Sequence, residues 1–198
     1  MKNRETSYGQ SQLSIVDRFG VALSYRTIKR RLPKNFNSIL DIGCGFNAAL
    51  LLKAGADKLK YGIDFQVNKE LITTKTSLIE GEGLTSLKAI PIKFDVIMLI
   101  SVLEHISDPK ELLKECIKHL NPQGRVLINV PTWTGKPFLE YSAFKLGLSP
   151  AIEMNDHKMY YNKRDLWPLL VQAGFFPQNI KLEYHKFGLN LFATALNQ

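Results

Sequence analysis

Apolar positions along this chain keep two different rhythms. From about Ser14, Ile15, Val16, Phe19, Ala22, Leu23 and Ile28 recur near helical spacing and stop at Leu32 before Pro33. That predicts a helical arm over residues 1–35, its first twelve residues polar and without period. Beyond it come short apolar runs, SILDIG, KYGIDF, TSLIEGE, FDVIMLIS and GRVLINVP, that read as strands. FDVIMLIS is apolar on both faces, as in a parallel sheet. Between the runs, residues 47–56 predict a helix closed by Gly55, 67–74 a truncated helix, and DPKELLKECIKHL an amphipathic helix with Asp108 as N-cap and Pro109 at its first position. KRDLWPLLVQAGF predicts a further helix ended by Gly174.

Strand alternates with helix for most of the chain, and such crossovers force parallel neighbours. The last two strands, IKLEYH and LNLFATAL, are joined by a short KFG turn and must be antiparallel. The expected fold is α/β: a Rossmann-like, doubly wound, mostly parallel sheet with an antiparallel C-terminal hairpin, spanning 36–198 after the arm. Residues 132–162, rich in aromatics, Gly and Pro, fall outside the alternation and read as a lid insert.

Composition narrows the class. The 198 residues are 45% hydrophobic and 22% charged, enough for one domain with a core. The most apolar run, 96–102, is far short of the roughly 20 residues a bilayer requires. The start, MKNRETSYGQSQ, lacks the apolar stretch of a signal peptide, so a cytoplasmic location is expected. Peripheral contact with a membrane surface stays open. Two cysteines, Cys44 and Cys116, make neither a disulfide framework nor a four-ligand zinc site. A net charge of +8 favours anionic partners, and Arg26, Lys29 and Arg30 would share one helical face.

The main chemical signal is the strand–turn–helix around Asp41-Ile42-Gly43-Cys44-Gly45. Gly43 and Gly45 permit a tight turn and close approach of a ligand to the backbone. Gly43-x-Gly45-x-x-Ala48 also fits a dinucleotide fingerprint, with Asp64 about 20 residues on. Asp41 separates the readings. A carboxylate at the mouth of the turn repels a pyrophosphate and suits a cation, and S-adenosylmethionine carries a sulfonium and an ammonium but no phosphate.

These residues resemble the class I S-adenosylmethionine-dependent methyltransferases, especially the small-molecule branch with the ubiquinone-biosynthesis O-methyltransferases. LDIGCG, GID, FDVIMLISVLEHISDP and GRVLINVP match in order, and the likeness covers about 36–198. It implies a seven-stranded sheet whose last strand is antiparallel, and transfer of a methyl group to a small-molecule or lipid- or sugar-linked acceptor, at oxygen. It implies that Asp41, Gly43 and Gly45 hold the methionine end, that Asp64 accepts the ribose hydroxyls, that Phe65 packs beside adenine, and that Ser101 faces the cofactor. Glu82 falls where the family places an acid near the adenine amino group, against the plainer reading of a surface acid.

The sequence also departs from its relatives. The ubiquinone-pathway enzymes often carry an acid where Ser101 stands, completing an acid-x-x-acid-His trio. Here only Glu104 and His105 remain, and no metal site is expected. His105 is either a general base or a packing residue. His157, in Asn155-Asp156-His157-Lys158, is either a base reaching over the methyl group or a pin for the lid. No Asn/Asp-Pro-Pro-aromatic sequence follows the fourth strand, which disfavours methylation of a base amino group in DNA or RNA by that route. A nucleic-acid or protein substrate held by the basic arm, and cofactor binding without turnover, are the competing readings.

Overall fold

In the computed structural model of this chain the described residues are 15–144 and 156–198. The polar first twelve residues and the middle of the expected lid, 145–155, lie outside them. The arm is helix α1 (Ile15–Arg31). Seven strands follow: β1 (Ser38–Ile42), β2 (Leu59–Asp64), β3 (Thr76–Glu80), β4 (Phe94–Ile100), β5 (Leu120–Pro131), β6 (Ile180–His185) and β7 (Asn190–Leu196). They form one sheet in the order β3-β2-β1-β4-β5-β7-β6, parallel from β3 to β5 and antiparallel at β5–β7 and β7–β6. This is the expected doubly wound sheet with its terminal hairpin.

Alternation along the strands splits the core in two. Leu40 and Ile42 of β1, Ile97 and Leu99 of β4, and Val126, Ile128 and Val130 of β5 face one side. There they meet Leu112, Leu113 and Cys116 of α3 (Pro109–Lys118) and Leu166 and Leu170 of α5 (Lys163–Ala173). Ile39, Val96, Met98, Leu127 and Phe192 face the other side, under Ile28 of α1 and Leu51. The arm therefore shares the core of the sheet.

Capping matches the sequence at α3, where Asp108 Oδ1 accepts from the Glu111 N–H at 3.0 Å. Elsewhere the structure corrects the expectation. Residues 47–56 do not form an α-helix: turns lead into a single 3₁₀ turn at Leu51–Ala54. Ala48 adopts a left-handed φ of 45°, and Leu50 supplies no side-chain cap, so the first turn cannot propagate. A helix the periodicity missed, α2 (Gly83–Lys88), follows β3. The lid insert opens as helix α4 (Lys136–Phe144) rather than as irregular chain. No helix among the described residues is long and apolar enough to cross a membrane.

Candidate active site

The carboxyl end of β1 turns sharply. Gly43 and Gly45 take φ of +74° and +73°, and the Gly43 and Cys44 N–H groups both donate to Ile63 O, at 2.8 and 3.2 Å. A Cβ on Gly43 would lie 2.5 Å from Val102 Cγ2, so the turn after β1 is pressed against the turn after β4. Cys44, between the glycines, is buried, and burial pushes its thiol pKa up; the same holds for Cys116 in α3.

Asp41 lies at the end of β1, only 1% exposed, and its Oδ1 has no hydrogen-bond partner. Burial pushes its pKa up to about 8, with the nearby Asp64 charge adding to the effect. A buried acceptor without a partner is costly. A cationic ligand at the turn would remove that cost. Asp64, at the end of β2, has its Oδ2 bound to the Gly45 N–H at 2.8 Å. Phe65 beside it is 74% exposed.

Glu82 follows β3 and opens the next helix. Its two oxygens accept from Leu84 N and Thr85 N at 3.1 and 2.7 Å, making it the N-cap of α2, and those bonds hold its pKa down. Ser101 is exposed and strained into φ +59°, with its N–H on Asn129 O at 2.8 Å.

The two candidate histidines, far apart in sequence, meet. Their ring centroids are 4.8 Å apart, edge to face. His105 comes from the turn after β4, and His157 from the segment that leads into α5. Lys158 ties the two segments together: its N–H donates to Glu104 O at 2.7 Å and its Nζ to Ser107 Oγ at 2.9 Å. His105 Nδ1 lies 3.0 Å from Asp156 Oδ2. His157 Nδ1 lies 3.1 Å from Tyr160 Oη, and Trp133 packs on Tyr160 with centroids 5.6 Å apart. Burial, with a smaller push from the neighbouring His105, lowers the His157 pKa to about 4. His157 is therefore neutral near pH 7.

Glu104, His105 and His157 also offer ligand atoms within 4.8 Å of one another, a set that could take a borderline divalent cation. His157 stands as a third candidate ligand, where Ser101 offers no carboxylate. That grouping was not legible in the sequence. Neither was Asn129, 2% exposed on β5 with its Oδ1 unpartnered. Its only signal was one polar residue inside the apolar run GRVLINVP.

A family model described as a methyltransferase domain matches residues 17–179. The ubiquinone biosynthesis O-methyltransferase of Idiomarina loihiensis is 30% identical over 110 residues, 48% of this chain and 44% of that protein. The enzyme of the same name from Aliivibrio fischeri is 28% identical over 159 residues, 72% of this chain and 65% of its own length. The chain thus spans about half to two thirds of these curated relatives. A SAM-dependent methyltransferase from Archaeoglobus fulgidus superposes with a TM-score of 0.65 at 17% identity, covering 93% of this chain and all of the other, a likeness of fold.

Proposed function

This chain belongs to the methyltransferase-domain family, and from that premise we propose that it transfers a methyl group from S-adenosylmethionine to an oxygen of a small-molecule acceptor. The observation that carries the reading is Asp41, a buried carboxylate with an unpartnered oxygen at a glycine turn. In its ionised form it pairs with the ammonium of the methionine end and would repel a pyrophosphate. The Asp64 carboxylate suits a ribose hydroxyl, and the exposed ring of Phe65 suits the adenine.

The bound cofactor would supply a methyl group on a sulfonium, already activated for displacement. The protein's task is then alignment and proton removal. A carboxylate only accepts, so Asp156 fixes the proton of His105 on Nδ1 and leaves a lone pair on Nε2. His105 is the base in this reading: Nε2 takes the acceptor's hydroxyl proton as oxygen attacks the methyl carbon in line. His157, a much weaker base with a pKa near 4, serves with Tyr160 and Trp133 as an apolar wall that keeps water from the attacking oxygen. An acceptor carried on a lipid or sugar is the finer form of the proposal, consistent with the aromatic surface at Trp133, Phe138 and Tyr141.

Calorimetry with the purified chain tests the cofactor. Micromolar binding of S-adenosylmethionine with none of NAD supports the reading, and the reverse overturns it. Release of S-adenosylhomocysteine against a panel of small phenols and catechols tests the acceptor class.

A further inference from the structure

At the tip of the β6–β7 hairpin Phe187 is 105% exposed, so no packing repays the position of its ring. Its backbone is left-handed as well, with φ +57° between Lys186 at +50° and Gly188 at +86°. Such a conformation is costly for a phenylalanine and persists only where the surroundings impose it. Here the Thr132 and Thr134 hydroxyls both donate to Gly188 O, at 2.6 and 3.2 Å, fixing the tip beside Trp133 at the carboxyl end of β5.

Cations flank this tip on both faces of the sheet. On the α1 face, Thr27 Oγ1 lies 3.3 Å from His185 Nδ1, at the end of β6. Burial first, then the charges of Lys186, Arg31 and Arg30, lowers the His185 pKa to about 4, so the ring itself is neutral. Arg26, Lys29 and Arg30 are exposed on the same helix, and none of the three is in an ion pair among the described residues. On the α5 face, Lys163 Nζ lies 5.2 Å from the centre of the Tyr184 ring, and Arg164 beside it is exposed. Glu183, the one acid of β6, already pairs with Arg31 and Lys181.

A projecting apolar ring between unpaired cations is complementary to an anionic bilayer surface, where the ring enters the interface and the cations meet phosphates. We infer that the hairpin tip is a membrane-docking point: Phe187 enters the interface of an anionic bilayer while Arg26, Lys29, Arg30 and Lys163 contact its headgroups. Single-stranded nucleic acid also combines cations with aromatics, but along a groove with successive stacking rings. Here one ring stands on a convex tip. Docking in this pose turns the carboxyl end of the sheet, and with it the proposed acceptor side, toward the headgroups. The docking itself does not depend on the methyl-transfer reading.

The test sediments the full chain, without cofactor, with vesicles of phosphatidylcholine alone and of phosphatidylcholine mixed with phosphatidylglycerol. Binding to the mixed vesicles alone is expected, weakened at least about tenfold when salt rises from about 0.1 to about 0.5 M. Phe187→Asn, a residue that tolerates the left-handed turn, should melt with the parent and partition at least about fivefold less. Phe187→Gly repeats the comparison if asparagine lowers the melt. Arg26→Gln, Lys29→Gln and Arg30→Gln together should cost at least about tenfold. Equal binding to neutral vesicles, no binding to the mixed ones, or parent-like partitioning of the Phe187 variants overturns the inference. A single-stranded oligonucleotide bound in the absence of any vesicle binding assigns the surface to nucleic acid and overturns it too.

Discussion

His105 Nδ1 and Asp156 Oδ2 meet at 3.0 Å, joining the turn after β4 to the segment that enters α5. In the proposed reaction this contact leaves the Nε2 lone pair of His105 to accept a proton. His105→Gln is expected to slow methyl transfer by about 10²–10⁴ with donor affinity unchanged. His157→Gln should cost less than about tenfold, because its imidazole is already a poor base at pKa near 4. Single-turnover formation of S-adenosylhomocysteine separates the two. A larger loss in His157→Gln would transfer the base role to that residue.

Asp41 should make cofactor affinity depend on pH. Its pKa is about 8, and the ionised form is the one that pairs with an ammonium. Below pH 8 binding must expel a proton, so affinity should fall by up to about tenfold per pH unit from 8 toward 6, and level off above 8. The ligand-free protein should follow the opposite logic. Its Asp41 holds a proton that the unfolded chain has lost, so this group's contribution to stability declines as pH rises from about 4 to 8. Calorimetry in buffers of different ionisation enthalpy reads the proton release directly.

Asp64 and Glu82 should separate into ligand and scaffold. Asp64→Ala is expected to weaken donor binding by about 1.5–3 kcal/mol, the scale for a hydrogen bond involving a charged group. Glu82→Ala should instead lower folding stability by about 0.5–2 kcal/mol through loss of the α2 cap, with affinity almost unmoved. Denaturant melts beside titrations decide it, and a large affinity loss in Glu82→Ala would return that residue to the adenine site.

Metal should inhibit rather than assist. Zinc bound by Glu104, His105 and His157 would occupy the lone pair that His105 needs as a base. Activity is expected to survive EDTA, to fall with added zinc, and to resist zinc in His157→Gln. Activity lost to EDTA and restored by magnesium would reverse this assignment.

The Gly43–Val102 contact gives a purely structural test. Gly43→Ala places a methyl group 2.5 Å from Val102 Cγ2 at a left-handed φ. A loss of about 1–3 kcal/mol in stability is expected, partly recovered by adding Val102→Ala, as measured by urea unfolding. No recovery would place the cost in the backbone conformation alone.

The strands were legible because their apolar runs are buried on both faces, and the terminal hairpin because KFG is too short for a crossover. Asp108 announced its helix through an acid followed by proline. The stretch after Gly45 misled because Ala and Leu favour helix, whereas the chain must first turn through Ala48 at φ 45°. The order of elements points to Glu82 as a ligand through the family likeness alone. Its cap role depends on a six-residue helix with no readable period. The meeting of His105 with His157 could not be read at all, since it follows from how α5 packs on α3 and brings its leading segment across the turn after β4. Asn129 carries no sequence signal beyond one polar residue in an apolar run, because its orphaned oxygen is set by burial in the sheet.

The two thiols also form a matched pair of internal clocks. Both are buried, and a thiol must reach solvent before an alkylating reagent can capture it. Cys116 lies on the α3 face of the sheet, so its alkylation times the opening of the whole domain. Cys44 lies between the two turn glycines, so its alkylation times the opening of that turn. A cofactor seated on the turn would slow the Cys44 clock beyond any effect on Cys116, and the difference would report occupancy without an acceptor having been identified.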